Sequence, residues 1–338
     1  MRQKTIMTLL IVSIPVFALL NLALGSVSIP FEGVIDVLTG SETGENSAVW
    51  NSIIMRSRLP QALTAMACGA GLSAAGLLMQ TVFRNPLAGP SVLGISSAAS
   101  LGVACVVLLS GIIGGTAISH LGIIGNATLT IAAVVGALSV MMLMVYLSNR
   151  IRGNATLLIV GVMIGYIASA IVGVLKYFSS EEDIHAFVIW GLGSFSRVSG
   201  GQVYLFCSLI AIALPISLLL IKSLNLLLLG DMYATNLGLN VKRSRTYIIA
   251  VAGILTAIVT AYCGPIMFLG LAVPHICRGL FATSDHRILL PSSILCGASL
   301  ALICSLIARL PGFEGALPIN SVTALIGAPI TLRILLKR

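Results

Sequence analysis

The sequence predicts an all-α polytopic membrane protein with about ten transmembrane helices, some of them short and broken. Three observations carry that prediction. Of 338 residues, 58% are hydrophobic and 9% charged, with a mean hydropathy of +1.09, whereas a soluble domain carries about 45–50% apolar and about 25% charged residues. Apolar runs of roughly 20 residues, the length that crosses hydrocarbon, recur along the chain. Basic residues are unevenly divided between alternate connections, as they are in oriented membrane helices. About ten spans leave no length for a separate soluble catalytic domain, so a single membrane domain over 1–338 is expected.

Arg2 and Lys4 precede an apolar run over about 5–24, read as an uncleaved first helix rather than a signal peptide because a whole polytopic body follows. Runs at roughly 60–82, 92–111, 127–147, 155–175, 203–221 and 246–263 are the next spans. A shorter piece at about 266–277 and runs at about 289–308 and 318–336 complete the count. Gly and Pro are dense over 85–102 and again over 264–274, where G-P-I-M-F-L-G-L-A-V-P interrupts one long apolar stretch. A broken helix must have its freed backbone groups buried in protein or facing water, which places it near a pathway or gate. Between about 176 and 202, Glu181, Glu182 and Asp183 precede the apolar F-V-I-W-G-L-G-S-F, a pattern read as an outside helix on the membrane edge. The largest cytoplasmic connection is about 222–245, and its Leu226–Gly230 stretch is too apolar for a solvated linker. A partner or the body of the protein must cover it.

With a cytoplasmic N-terminus, fourteen of the 19 basic residues fall on cytoplasmic connections: Arg2, Lys4, Arg84, Arg150, Arg152, Lys222, Lys242, Arg243, Arg245, Arg278, Arg287, Arg333, Lys337 and Arg338. Arg56, Arg58, Lys176, Arg197 and Arg309 lie outside. Eight of the ten acids share that side: Glu32, Asp36, Glu42, Glu45, Glu181, Glu182, Asp183 and Glu314. This division fits an even number of spans with both termini cytoplasmic. The net charge of +9 does not point to nucleic acid, since no basic cluster is interleaved with aromatics.

The sequence also excludes several chemistries. The seven cysteines lie mostly in apolar runs and form no C-x-x-C pair, so they read as small buried hydrophobes. His120, His185, His275 and His286 make no metal-binding spacing and read as loop or interface residues. The G-I-S-S-A of 94–98 lacks the final Gly of a nucleophile elbow and reads as a small-residue helix interface. No Gly-rich phosphate loop ending in G-K-[ST] occurs, so ATP energy has to come from another subunit and no cofactor is expected in this chain. The apolar interiors contain no Asp, Glu, Lys or Arg. A charge in hydrocarbon costs at least about 2.5–3.5 kcal/mol and marks ion-coupled carriers, so its absence weighs against a proton- or sodium-coupled mechanism.

Five strings then become specific in combination: R-S-R-L-P-Q-A-L (56–63), G-A-G-L-S-A-A-G-L-L-M-Q-T-V-F-R-N-P-L-A-G-P-S-V-L-G-I (69–95), G-P-I-M-F-L-G-L-A-V-P-H-I-C-R-G-L (264–280), D-H-R-I-L-L-P (285–291) and L-P-I-N-S-V-T-A-L-I-G-A-P-I (317–330). In this order and spacing they resemble the FecCD family, the permease subunits of bacterial ABC importers for iron–siderophore complexes, haem and cobalamin. The resemblance implies a type II ABC importer permease fold in the bacterial inner membrane, a homodimer or a pair with a second permease, a cytoplasmic ABC ATPase dimer that binds ATP and Mg, and a periplasmic substrate-binding protein. It also implies a wide, weakly polar path that works by alternating access, with a ferric siderophore as the favoured cargo. The alternative is a secondary transporter or channel that needs no ATPase.

The same resemblance assigns residues. G-D-M-Y-A-T-N-L-G-L (230–239) resembles the family's coupling helix, which places Gly230, Asp231, Ala234, Leu237 and Gly238 at the ATPase contact. Helix-stop and N-cap roles for the two glycines and the aspartate are compatible with that assignment. Arg58 and Arg309 match arginines that dock the binding protein. Gln61 stands where the family often has a second arginine, with Arg56 as a substitute, and Ser305 stands where it commonly has Asp. A lipid-headgroup anchor remains open for each arginine. Pro274, His275 and Arg278 match the family's P-H-x-x-R, and with Arg84, Asn85 and Pro86 they make up a gate or structural motif at cytoplasmic turns. Met79, Gln80 and Met267 are candidates for lining the path.

Overall fold

The computed structural model describes residues 2–25, 27–41, 47–112, 122–151, 153–309 and 316–336. The expectations attached to Glu42, Glu45, His120, Arg152, Glu314, Lys337 and Arg338 lie outside these residues. Helix α1 (Arg2–Ala23) is followed by two short helices, α2 (Phe31–Thr39) and α3 (Ser47–Ile53). A five-residue π-helical segment, Ile54–Arg58, joins α3 to α4 (Leu59–Phe83). Next come α5 (Ile95–Ile112), α6 (Gly122–Arg150), α7 (Asn154–Tyr177), α8 (Glu181–Gly191) and α9 (Gly201–Leu219). The chain continues through α10 (Ile221–Leu228), α11 (Asp231–Asn236), α12 (Val241–Cys263), α13 (Leu269–Phe281), α14 (His286–Ala308) and α15 (Ile319–Leu336).

Among the described residues, seven helices are long and apolar enough to span a membrane: α1, the continuous α3–α4 rod, α6, α7, α9, α12 and α14. The apolar α5, α13 and α15 are shorter. Together these ten match the ten runs read from the sequence. The short helices α2 and α3 were not expected; Gly33 of α2 lies directly against the Trp50 ring of α3.

Three helices form the centre. The α4, α12 and α14 spans are 83%, 72% and 67% buried, against 17% for α1 and 22% for α6 and α7. Lipid is as apolar as leucine, so a central membrane helix is marked by small residues that let backbones approach, not by extra hydropathy. Helix α4 reads L-P-Q-A-L-T-A-M-A-C-G-A-G-L-S-A-A-G. A Cβ added at Gly69 would lie 2.1 Å from the Gly297 carbonyl oxygen of α14, and one at Gly76 would lie 1.7 Å from the Gly270 carbonyl oxygen of α13. Only glycine permits these two contacts.

The interruption at 264–268 obeys the rule for broken membrane helices. Gly264 and Phe268 take positive φ, +80° and +62°. The freed groups are bonded to neighbours: Ser194 N–H donates to the Cys263 carbonyl at 2.8 Å, and Met267 N–H donates to Asn320 Oδ1 of α15 at 3.1 Å. The segment expected to form an outside helix is helical, as α8. Ser180 caps it by accepting from Asp183 N–H at 3.3 Å, Glu181, Glu182 and Asp183 occupy its first turn, and Phe187 and Trp190 are buried. Five of the seven cysteines are buried; Cys207 is half-buried and Cys105 is exposed.

Candidate functional site

The connection between α9 and α12 folds as two short helices. Leu224 and Leu227 of α10 pack inward, Gly230 turns the chain at φ +104°, a value that L side chains rarely adopt, and α11 follows. Ala234 is fully buried, while Met232, Tyr233 and Leu237 are 81%, 69% and 61% exposed, with Leu228 and Leu229 beside them. The Asp231 carboxylate lies between two guanidiniums, 2.5 Å from Arg84 Nη2 and 2.5 Å from Arg245 Nη2. Of the residues expected to meet an ATPase, Ala234 packs into the core, while Asp231 is ion-paired within the chain with its side chain 42% exposed. The outward face consists of Met232, Tyr233 and Leu237. The inward Ala234 was the signal that could have found the first two, since residues flanking it on a helix must point away.

The end of α4 gathers polar residues from four elements. Gln80 donates to the Leu271 carbonyl at 3.2 Å and accepts from Arg278 Nη1 at 2.5 Å. Thr81 Oγ1 pairs with His286 Nε2 at 2.8 Å, and His286 Nδ1 donates to Asn225 Oδ1 at 2.8 Å. Asn225 also donates to Asp285 Oδ1 at 2.7 Å, and Asp285 caps α14 by accepting from Arg287 N–H at 2.9 Å. These donors hold the Asp285 carboxyl below its ordinary pKa of 3.8. Arg84 closes α4 in the left-handed conformation at φ +48° and donates to the Leu227 carbonyl at 3.2 Å. In the turn after it, Asn85 Oδ1 accepts from Leu87 N–H at 2.9 Å and the Pro86 carbonyl accepts from His275 Nε2 at 2.8 Å. Pro274 is buried within α13.

The three path candidates differ in exposure. Met79 is 1% exposed in the packed centre of α4, and Gln80 is a junction residue at 3% exposure; Met267, at the broken segment, is exposed. Small neighbours draw long side chains inward, and Met79 fills a gap in the helix packing of this chain.

At the opposite end of α4, Arg58 is buried. It donates to the carbonyls of Leu22 at 2.6 Å and Ala23 at 2.8 Å, and also to that of Val27. That guanidinium, expected from the family resemblance to dock a binding protein, terminates α1 in this structure. Arg56, two residues earlier, is exposed. Arg309 donates to Gln61 Oε1 at 2.9 Å, to Asn21 Oδ1, and to Ser305 Oγ at 3.2 Å. The two departures from the family pattern, Gln61 and Ser305, thus meet at one guanidinium. Burial and the nearby Arg58 charge push the Arg309 pKa down to about 10, which leaves it charged at neutral pH. Arg197 donates to the Ile189 and Trp190 carbonyls, both at 3.3 Å, and so closes α8; burial lowers its pKa as well. A cavity of about 230 Å³ is lined by both arginines, Gln61, Ser194, Ser196 and Ser305, with apolar walls and no carboxylate among the described residues that line it.

Comparison with known proteins agrees with this architecture. The model of the FecCD transport family matches residues 10–337. The vitamin B12 import system permease protein BtuC of Shigella sonnei (strain Ss046) is 36% identical over 284 residues, covering 84% of this chain and 83% of the relative. BtuC of Escherichia coli (strain K12 / DH10B) gives the same identity and coverage. A solved structure assigned to the metal-chelate type of ABC transporter, in an inward-facing conformation, superposes with a TM-score of 0.84 at 28% identity, covering 99% of this chain and 100% of that one. The PsaBC complex of Streptococcus pneumoniae with Fab, at TM-score 0.53 and 17% identity over 89% of this chain and 95% of that one, shares the fold. With a family match over nearly its whole length and the corresponding bundle of membrane helices, the chain is a transport subunit, not an enzyme, and belongs to the FecCD transport family.

Proposed function

We propose that this chain is the permease subunit of an ATP-driven importer that moves a bulky metal chelate from periplasm to cytoplasm by alternating access. It works in the bacterial inner membrane with both termini cytoplasmic, as one half of a permease dimer, with two cytoplasmic ATPase subunits and a periplasmic binding protein. The observation that carries the reading is the apolar face of α11, where Met232, Tyr233 and Leu237 stand exposed on a segment otherwise anchored to the body. An apolar face on a connection between spans, with Leu228 and Leu229 exposed beside it, fits a protein contact. ATP with Mg binds the partner, and its differential binding to the two states drives the change.

The cargo we favour is a ferric siderophore. The cavity beside Arg197 and Arg309 offers positive charge, with no carboxylate among the described residues that line it, which suits an anionic chelate. A second reading, cobalamin, is favoured by the vitamin B12 permeases at 36% identity. The test is isolation of the tagged chain in mild detergent with mass spectrometry of its companions, followed by a cargo screen of the binding protein. Recovery of a phosphate-loop ATPase and a periplasmic binding protein is expected. Recovery of the intact folded chain alone would leave the secondary-transporter alternative standing instead.

A further inference from the structure

The last turn of α4 concentrates more inter-element bonds than closing a helix requires. Gln80 ties it to α13 through the Leu271 carbonyl and Arg278, Thr81 ties it to α14 through His286, and Arg84 ties it to the α10–α11 segment through the Leu227 carbonyl and Asp231. That segment is in turn held twice. Asn225 is bonded to Asp285 and His286 of the α14 start, and Asp231 is shared between Arg84 and Arg245 of α12.

Above this turn α4 is not free to move by itself. Its backbone touches α13 at Gly76–Gly270 and α14 at Gly69–Gly297, with no side chain between to yield. A displacement of the α4 end therefore carries α13 and α14 with it. Helix α13 begins at the broken segment, whose backbone is held by Asn320 of α15. Bonded contacts thus run from α11 to the far side of the break. The Arg84 and Asp231 side chains are 43% and 42% exposed, and ion pairs as exposed as these add little to folding stability. What the pair supplies is position.

We propose that the last turn of α4 is where movement of the α10–α11 segment enters the membrane body, with Asp231, Arg84 and Thr81 as positioning residues. Together they turn a push on the Met232–Tyr233–Leu237 face into a joint shift of α4, α13 and α14. The inference rests on the importer reading, and one experiment separates the two.

The whole importer, this chain with its ATPase and binding protein, is reconstituted in proteoliposomes, and accumulation of the chelate found in the cargo screen is measured against ATP hydrolysed. Asp231→Asn and Thr81→Val are compared with wild type, and Asp231→Glu serves as the conservative variant. For both of the first two variants the expected result is a fall of about fivefold or more in chelate accumulated per ATP hydrolysed, with partial recovery in Asp231→Glu. A merely structural role would lower assembly yield and thermal midpoint while leaving that ratio unchanged, and this result overturns the proposal. Loss of ATPase from the Asp231→Asn assembly with an unchanged ratio also overturns it, and returns Asp231 to the contact face. If wild type shows no ATP-driven uptake, the importer reading itself fails, and the proposal with it.

Discussion

Replacing Gly76 with alanine places a methyl group where the Gly270 carbonyl oxygen already is, at 1.7 Å. To restore a contact of even 3.0 Å, α4 and α13 must separate by about 1.3 Å, far enough to forfeit a large part of the dispersion energy along their seam. Overpacking of a tight interior costs about 1–3 kcal/mol. The same separation stretches the Gln80–Leu271 bond, now 3.2 Å, beyond hydrogen-bonding range and leaves a buried amide unsatisfied, adding about 1–3 kcal/mol. The expected loss is therefore about 4 kcal/mol. Gly173 of α7 is the internal control: an added Cβ there meets nothing within 4 Å, so Gly173→Ala gains about 0.5–1 kcal/mol from helix propensity. A thermal ramp in detergent with a thiol-reactive fluorophore reads both variants, because buried Cys68, Cys277, Cys296 and Cys304 react only as the bundle opens. If the two variants unfold within about 1 kcal/mol of each other, the backbone contact between α4 and α13 does not exist as described.

Further outcomes are expected. Arg58→Gln, which strips three carbonyls of their donor, should destabilise by about 2 kcal/mol in the same ramp, whereas the exposed Arg56→Gln should stay within about 0.5 kcal/mol. Under the proposed function, Arg56→Gln instead slows association with the binding protein and flattens its salt dependence, as measured by surface-immobilised kinetics. Tyr233→Ala and Leu237→Ala should each weaken ATPase binding about tenfold in titrations of the purified subunit, the loss expected for an exposed apolar anchor. Asp285 titrates below its ordinary value in the folded chain, so the unfolded chain holds more protons in that window and stability rises with pH. The contribution is present above the ordinary carboxylate pKa and is lost as pH falls through the lower folded value. Thermal midpoints between pH 3 and 5.5 should therefore fall with acid less steeply for Asp285→Asn than for wild type.

Much of this fold was legible in the sequence because hydropathy and charge report length and side. The ten apolar segments, the break after Cys263 and helix α8 all lie where the runs, the glycines and the acidic Glu181–Asp183 start ahead of an apolar stretch put them. Helices α2 and α3 are not legible in the sequence because nine and seven residues make no long apolar run. What could not be read was facing. Arg58 and Arg56 are equivalent by charge, yet one is plugged into the end of α1 and the other is exposed. Asp231 and Ala234 sit in the expected coupling segment, but the ion pairs that hold the first to its own chain come from Arg84, 147 residues away, and Arg245, 14 residues away. Gln61 and Ser305, separately anomalous, make sense once both are found on Arg309.

The central position of α4 has a consequence for biosynthesis. Its partners α12, α13 and α14 are made after residue 240, so the helix that ends at the centre enters the bilayer long before anything can enclose it. At roughly 5–20 residues per second, α4 waits on the order of ten to forty-five seconds among lipids. It is the least apolar of the seven long spans, with a mean hydropathy of 1.6 against 1.9 to 2.5 for the rest. The middle of the molecule is thus its last part to close, and the nascent chain is held meanwhile by helices that end up on the rim. Ribosome-bound chains truncated near residue 240 should leave Cys68 open to a membrane-permeant thiol reagent, and full-length chains should protect it; protection already present at that length would show that α4 is enclosed early by other partners.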